Sequence, residues 1–185
     1  MLPEYYEPGA LIETGRLLLR PLEKSDALAI FRMINHDREV LRYYVAPYME
    51  YESEASVDGT VNSCRERGIY CFAVVLKEEG RVIGMLNQCS VPNEYFPAME
   101  LGYALGKDYW NRGYCTEAMK AVTEFLFTKG VHKITCCHIT ENTASGRVMQ
   151  KCGMKYEGIR KSELYYHGKY WDTANYYLLN PADEV

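Results

Sequence analysis

Hydrophobic and polar positions change their rhythm several times along the chain, and each change marks an expected element. The run "RLLLRPL" (16–22) is apolar and stopped by Pro21, a strand pattern. Ser25 and Asp26 then offer an N-cap, after which Leu28, Ile30, Phe31 and Ile34 recur at near-helical spacing up to Asn35. Residues 35–56 are polar and rich in Tyr, predicting a short helix and a loop around Pro47, with Ser53 placed to cap a helix to about Arg67. Two apolar runs, 69–77 and 81–90, flank Glu78-Glu79-Gly80 and predict a hairpin. "AMELGYALGK" (98–107) alternates as a strand. The helix after it sets Ala118, Met119, Val122, Phe125 and Leu126 on one face and ends at Lys129-Gly130. Residues 133–140 are β-branched and strand-like, and Asn142 can cap a helix that carries Val148, Met149 and Cys152 and stops at Gly153. The last segment reads as two strands joined at His167-Gly168.

Strand, helices, antiparallel strands, strand–helix–strand–helix and hairpin, in that order, predict a mixed α/β fold with a largely antiparallel front half. The unit at 98–140 is expected to be a right-handed parallel crossover. A chain of 185 residues fits a single domain, here with 1–13 as an N-terminal extension.

Composition narrows the class. With 48% hydrophobic and 25% charged residues the chain is that of a globular protein, and no apolar run approaches the ~20 residues of a membrane span. The start "MLPEYYEPGALIE" is acidic and lacks a basic segment followed by an apolar one, so a cytoplasmic location is expected. Seven scattered cysteines without a CxxC pair argue against a disulfide framework or a zinc knuckle. In Cys136-Cys137-His138 neighbouring side chains point to opposite faces of a strand, so no metal site is expected. A formal charge of −4 argues against nonspecific nucleic-acid binding as the main task. Yet 101–155 holds eight Lys/Arg (107, 112, 120, 129, 133, 147, 151, 155) against four acids (108, 117, 124, 141).

Within that basic segment, "GKDYWNRGYCTEAMK" (106–120) is a glycine-bearing turn that opens a helix. First-turn amides lack intrahelical partners and the helix dipole adds partial positive charge, so such a turn can cradle an anion. A plain left-handed turn at Gly113 explains the same spacing, which leaves both readings open. The fingerprints G-x-G-x-x-G and G-x-x-x-x-G-K-[ST] are absent. Glu100 is a carboxylate inside an otherwise apolar strand, either a candidate base or an exposed strand residue. The aromatic groups Tyr43-Tyr44-Tyr48 and Tyr165-Tyr166-Tyr170-Trp171 either wall a pocket or pack.

Several of these stretches together resemble a known family. "WNRGYCTEA" (110–118) is similar to the acetyl-CoA motif Arg/Gln-x-x-Gly-x-Gly/Ala of the GNAT N-acetyltransferases, in the form used by their RimJ/RimL-like ribosomal-protein branch. "ENTASGRVMQKCGMKYEG" (141–158) resembles that branch's Asn-x-x-Ser…Lys-x-Gly-Phe…Glu-Gly, and "TGRLLLRPLEKSDA" (14–27) and "DREVLRYY" (37–44) fit as well. Asn111 and Cys115 depart from it, standing where the family has Gly and Ala or Gly.

The resemblance implies a mostly antiparallel mixed sheet with a parallel, splayed central strand pair flanked by helices, and acetyl-CoA as co-substrate. It places the CoA pyrophosphate on backbone amides around Arg112, Gly113, Tyr114, Cys115 and Thr116, with Arg112 adding charge. Leu101, Tyr103 and Leu105 are implied to meet the pantetheine arm through their backbone, a strand N–H to polarise the thioester, and Asn142 and Ser145 to face the same arm. The family's general-acid Tyr falls at Met149, which leaves Ser145 or an ordered water as donor to a thiol of pKa near ~8.5. Glu100 is the first candidate base and Glu163, on a strand that should border the cleft, the second. Direct attack in a ternary complex is implied; Cys115, in the phosphate loop, is too remote to carry the acyl group.

Only a neutral amine attacks, and a lysine at ~10.4 costs about 3 kcal/mol more to deprotonate than an α-amine near ~8. The expected acceptor is therefore a protein N-terminus. The alternatives are a small-molecule amine (aminoglycoside or polyamine) drawn by the acidic residues around 50–54, or a CoA-binding sensor without turnover. Partners expected are acetyl-CoA and the amine, without nucleic acid or membrane, on a monomer or homodimer.

Overall fold

The apolar runs assemble into one eight-stranded sheet of order β1-β2-β3-β4-β5-β6-β8-β7. The computed structural model describes residues 4–46, 48–50, 54–93 and 95–183, with only the backbone of 54–58. The strands are β1 (Ile12–Glu13), β2 (Leu17–Pro21), β3 (Cys71–Leu76), β4 (Arg81–Gln88), β5 (Ala98–Leu105), β6 (Lys133–Ile139), β7 (Lys155–Tyr166) and β8 (Lys169–Leu179). The helices are α1 (Ala27–Ile30), continued by a wide turn over Phe31–Asn35, α2 (Glu54–Arg67), α3 (Tyr114–Thr128) and α4 (Thr143–Lys151).

Burial follows from helices on both faces. All six residues of β3 are buried, which is why 69–77 reads as a continuous apolar run. Against one face of the sheet, Met119, Val122 and Leu126 of α3 and Met149 of α4 pack on Leu19, Phe72, Ile83 and Leu101. Against the other, Ile30, Ile34 and Val61 pack on Ala73, Val82 and Ala104.

Two local expectations change. Asp26 stands at the N-cap position of α1, but its side chain makes no bond to that helix: it is buried, takes a two-pronged ion pair from Arg20 at 2.7 Å and accepts from Glu23 N at 2.9 Å. A bidentate guanidinium outcompetes a single capping amide for a buried carboxylate, and a short 3-10 turn, Lys24–Asp26, precedes α1. The extension at 1–13 supplies a strand, for Ile12 pairs with Leu19 and both Ala10 and Ile12 are buried. Two residues are too few to show a period. Pro47 and Ser53, expected in a loop and as a cap, lie outside the described residues.

Neighbouring strands are antiparallel except β5 and β6. That parallel ladder covers only Ala98↔Lys133, Met99↔Ile134 and Glu100↔Thr135. Beyond it β5 stays with β4 as far as Leu105, while β6 follows β8 from Lys133↔Leu179 to Ile139↔Thr173. The two middle strands therefore part after Glu100, and a gap opens in the sheet.

Candidate active site

A cavity of ≈ 870 Å³ fills this gap and is lined from both faces of the sheet. Along one wall runs the freed edge of β5. The Glu100 carbonyl accepts from Cys89 N (2.7 Å) and the Glu100 N–H donates to Ser90 Oγ (2.8 Å), so its peptide groups face β4. Backbone groups alternate along a strand, which turns those of Tyr103 and Leu105 to the open side. The Leu105 carbonyl there accepts from Trp110 Nε1 at 2.8 Å. Leu101 sits where the strands diverge, its side chain in the α3/α4 core.

Side chains divide the cavity into two chambers. On the α3/α4 side the Tyr103 hydroxyl crosses to α4 and donates to the Ser145 carbonyl at 3.1 Å. Burial pushes this phenol far above its ordinary pKa, so it stays a proton donor. Asn142 caps α4 by accepting from Ser145 N at 3.3 Å, and both residues line the cavity. Met149 is 1% exposed and points into the core instead.

At the far end of that chamber lies the turn into α3. Gly113, the N-cap position, has φ +80°, and Asn111 has φ +58°. Asn tolerates the left-handed region better than most residues, which explains how it stands where the family has Gly. No side chain caps the helix at Gly113, which leaves first-turn amides open to a ligand, and Gly113, Tyr114, Cys115 and Thr116 all line the cavity. Cys115 is pushed well above the ordinary thiol range by burial. Arg112 differs from its neighbours: it is exposed and not part of the wall, and its carbonyl accepts from Arg16 Nη1 at 3.0 Å.

What fixes this turn was not visible in the sequence. Glu117, in the first turn of α3, accepts from Thr14 Oγ1 (2.6 Å), Arg16 N (2.9 Å) and Arg16 Nε (2.7 Å), and the Arg16 guanidinium covers the Tyr114 ring at 4.4 Å. Burial raises the Glu117 pKa, but the bonds from Thr14 and Arg16 outweigh it and hold the carboxyl below its usual value.

The opposite chamber opens on the α1/α2 face. Glu100 projects there and accepts from Cys137 Sγ at 3.3 Å; loss of hydration and the Glu100 charge push that thiol up to about 12. Glu163 of β7 also lines the cavity, bonded to the Thr173 hydroxyl and to Arg160 Nη1 (2.8 Å), and these partners hold it below the ordinary carboxylate value. The expected base candidates thus flank one thiol. Tyr43 and Tyr44 line this chamber, whereas Tyr48 stacks on His36 and Trp171 is buried. Tyr166 works at a distance: its hydroxyl lies 3.0–3.2 Å from the carbonyls of Leu41, Tyr44 and Ala46, pinning that wall to the β7–β8 hairpin. Cys136 is buried in the core and Cys137 lines the cavity, and no group of three or more His, Cys, Asp or Glu among the described residues could hold a metal.

Open amides at a helix start, a free strand edge and a passage through the sheet fit a long ligand that carries phosphates at one end and a reactive carbonyl at the other. Residues 16–155 match the family model described as acetyltransferase (GNAT) domain. The chain is similar to the uncharacterized N-acetyltransferase YoaA of Bacillus subtilis (strain 168), 30% identical over 177 residues, 94% of this chain and 98% of that one. It is similar also to the ribosomal protein uS5-alanine N-acetyltransferase of Escherichia coli (strain K12), 25% identical over 184 residues, 94% of this chain and 93% of that one. Mycobacterium smegmatis RimJ in complex with CoA-disulfide shares the fold, with a TM-score of 0.85 at 21% identity, over 100% of this chain and 93% of that one. The chain belongs to the GNAT acetyltransferase family and is an acetyl-CoA-dependent N-acetyltransferase.

Proposed function

We propose that the acceptor is a protein N-terminal α-amine, acetylated by direct attack within a ternary complex. The observation that carries this is the passage between the chambers, with Glu100 at the point where β5 and β6 part. In this reading the first-turn amides of α3 at Gly113 to Thr116 hold the diphosphate of acetyl-CoA, and the open edge of β5 at Tyr103 and Leu105 holds its arm. A β5 N–H aimed at the thioester carbonyl stabilises negative charge as it develops there. The amine enters from the α1/α2 face and Glu100 removes its proton. Ser145, or a water it orients, returns a proton to the departing thiolate, since Met149 is buried and has none to give.

Thr173 and Arg160 favour the ionised form of Glu163, which weakens it as a base in this scheme. It orients the incoming ammonium instead. A site whose bases are carboxylates suits an α-amine, which is partly neutral at pH 7, better than a lysine. The similarity to an enzyme named for a ribosomal-protein alanine points the same way. For a polyamine or aminoglycoside the supporting feature was the acid-rich stretch at 50–54, most of which lies outside the described residues.

The test is release of free thiol from acetyl-CoA with peptides bearing free or blocked N-termini, polyamines and aminoglycosides. Turnover is expected with free α-amines and not with blocked peptides, and Glu100→Gln should lower kcat at least about a hundredfold, the scale of general base catalysis. Turnover confined to polyamines or aminoglycosides, no turnover with any amine, or full activity in Glu100→Gln would each refute this scheme.

A further inference from the structure

Along α4 the cavity wall takes in Ser145 and, at helical spacing, Thr143, Ala144, Arg147, Val148 and Lys151, while Gly146 and Met149 face the core. The charged members of that face are Arg147 and Lys151, one helical turn apart and both basic. Four basic side chains line the cavity, and the other two are engaged: Arg160 pairs with Glu163 and Arg42 stacks on Tyr43. Neither Arg147 nor Lys151 meets the carboxylate of a described residue. Among the described residues the Arg147 guanidinium is bonded only to Thr143 Oγ1, at 3.3 Å, which draws it along the cavity face of the helix. A lysine in the last turn of a helix is accounted for by the helix dipole. An arginine in mid-helix is not.

Their position relative to α3 suggests what they serve. Cys152, next to Lys151, donates its thiol to the Thr116 carbonyl at 3.7 Å, so the end of α4 abuts the first turn of α3. Lys151 therefore stands at the end of α4 that abuts the turn to which the diphosphate is assigned, and Arg147 lies one turn before it on the wall of the same cavity. In CoA a second, separate phosphate hangs from the same ribose as the diphosphate, a few bonds away. A phosphomonoester carries close to two negative charges at neutral pH and three strong acceptor oxygens, and these amides cannot serve both groups.

We propose that Arg147 and Lys151 form the binding site for the 3′-phosphate of CoA, so that the enzyme discriminates CoA from its dephosphorylated precursor. This inference rests on the diphosphate lying at the α3 turn, as assigned above. Arg147 supplies paired N–H donors and Lys151 a mobile point charge. Arg112, the basic residue in the sequence motif, stands outside the cavity wall.

The test is titration calorimetry of the full-length protein with CoA and with 3′-dephospho-CoA. The wild type should bind CoA at least about tenfold more tightly, the scale of one charged hydrogen bond. Arg147→Ala and Lys151→Ala should each reduce that ratio, and the double variant should bring it to within about twofold of unity. Lys120→Ala removes an exposed charge on α3 near Cys152 but outside the cavity wall, and should leave the ratio alone. Should the double variant not fold, Arg147→Gln and Lys151→Gln are read singly in the same way. Equal binding of the two ligands by the wild type overturns the inference while leaving the acceptor chemistry standing. So does a ratio kept by the double variant or lost equally in Lys120→Ala, whereas failure to bind either ligand removes the diphosphate assignment as well.

Discussion

Glu117 shows how one side chain ties the turn into α3 to the rest of the molecule. Its carboxylate meets Thr14 and Arg16, about a hundred residues earlier in the chain, and Arg16 in turn holds the Arg112 carbonyl. The Glu117 pKa is lower folded than unfolded, so its contribution to stability is full above the unfolded value, near ~4.3, and fades as pH falls through the folded one. Glu117→Gln is therefore expected to cost about 1–2 kcal/mol near neutral pH, a range kept low because Arg16 is half exposed. Thermal denaturation from about pH 3 to 7 should show a shallower acid loss in the variant than in the wild type. Equal acid slopes would mean that the brace contributes no pH-dependent stability.

At the scale of elements, the seat of α4 on β6 sets where Asn142, Ser145 and Arg147 stand. A Cβ on Gly146 would lie 2.8 Å from His138 Nε2. The ring cannot easily retreat, for its Nδ1 is 2.8 Å from the Ile139 carbonyl and it stacks on Tyr176 at 5.7 Å. Gly146→Val should thus push α4 outward, costing about 1–3 kcal/mol in urea denaturation and weakening acetyl-CoA binding together. Adding His138→Ala should return part of both losses. If the second substitution makes matters additively worse, the close approach is not what the glycine serves.

For the whole molecule, acetyl-CoA bound as proposed would bridge β5, α3 and α4. At a ligand concentration a hundred times the dissociation constant, stabilisation is about 2.7 kcal/mol, or roughly 5–10 °C in Tm for a chain of this size. Scanning fluorimetry with acetyl-CoA should show that rise and ATP should not; a rise with ATP alone would assign the cavity to a nucleotide.

The elements lay plainly in the sequence because they depend on neighbours. The period of α3, the buried run of β3 and the Asn142 cap are local, and so was the suspicion attached to Glu100, a carboxylate in an apolar strand. Local reading failed where the partner is distant: Arg16 found Glu117, about a hundred residues along the chain. Arg147 and Lys151 were countable as part of a basic segment, but only the seat of α4 turns them to the cavity. By itself the sequence determined the order of elements, the glycine-bearing turn and the carboxylate candidates, and its motifs carried the family likeness. Tertiary structure alone decided that β5 and β6 part after Glu100, because each strand's other edge is held by a different neighbour, β4 or β8, and the register between sheets of chain is fixed by packing on both faces rather than by any short run of residues.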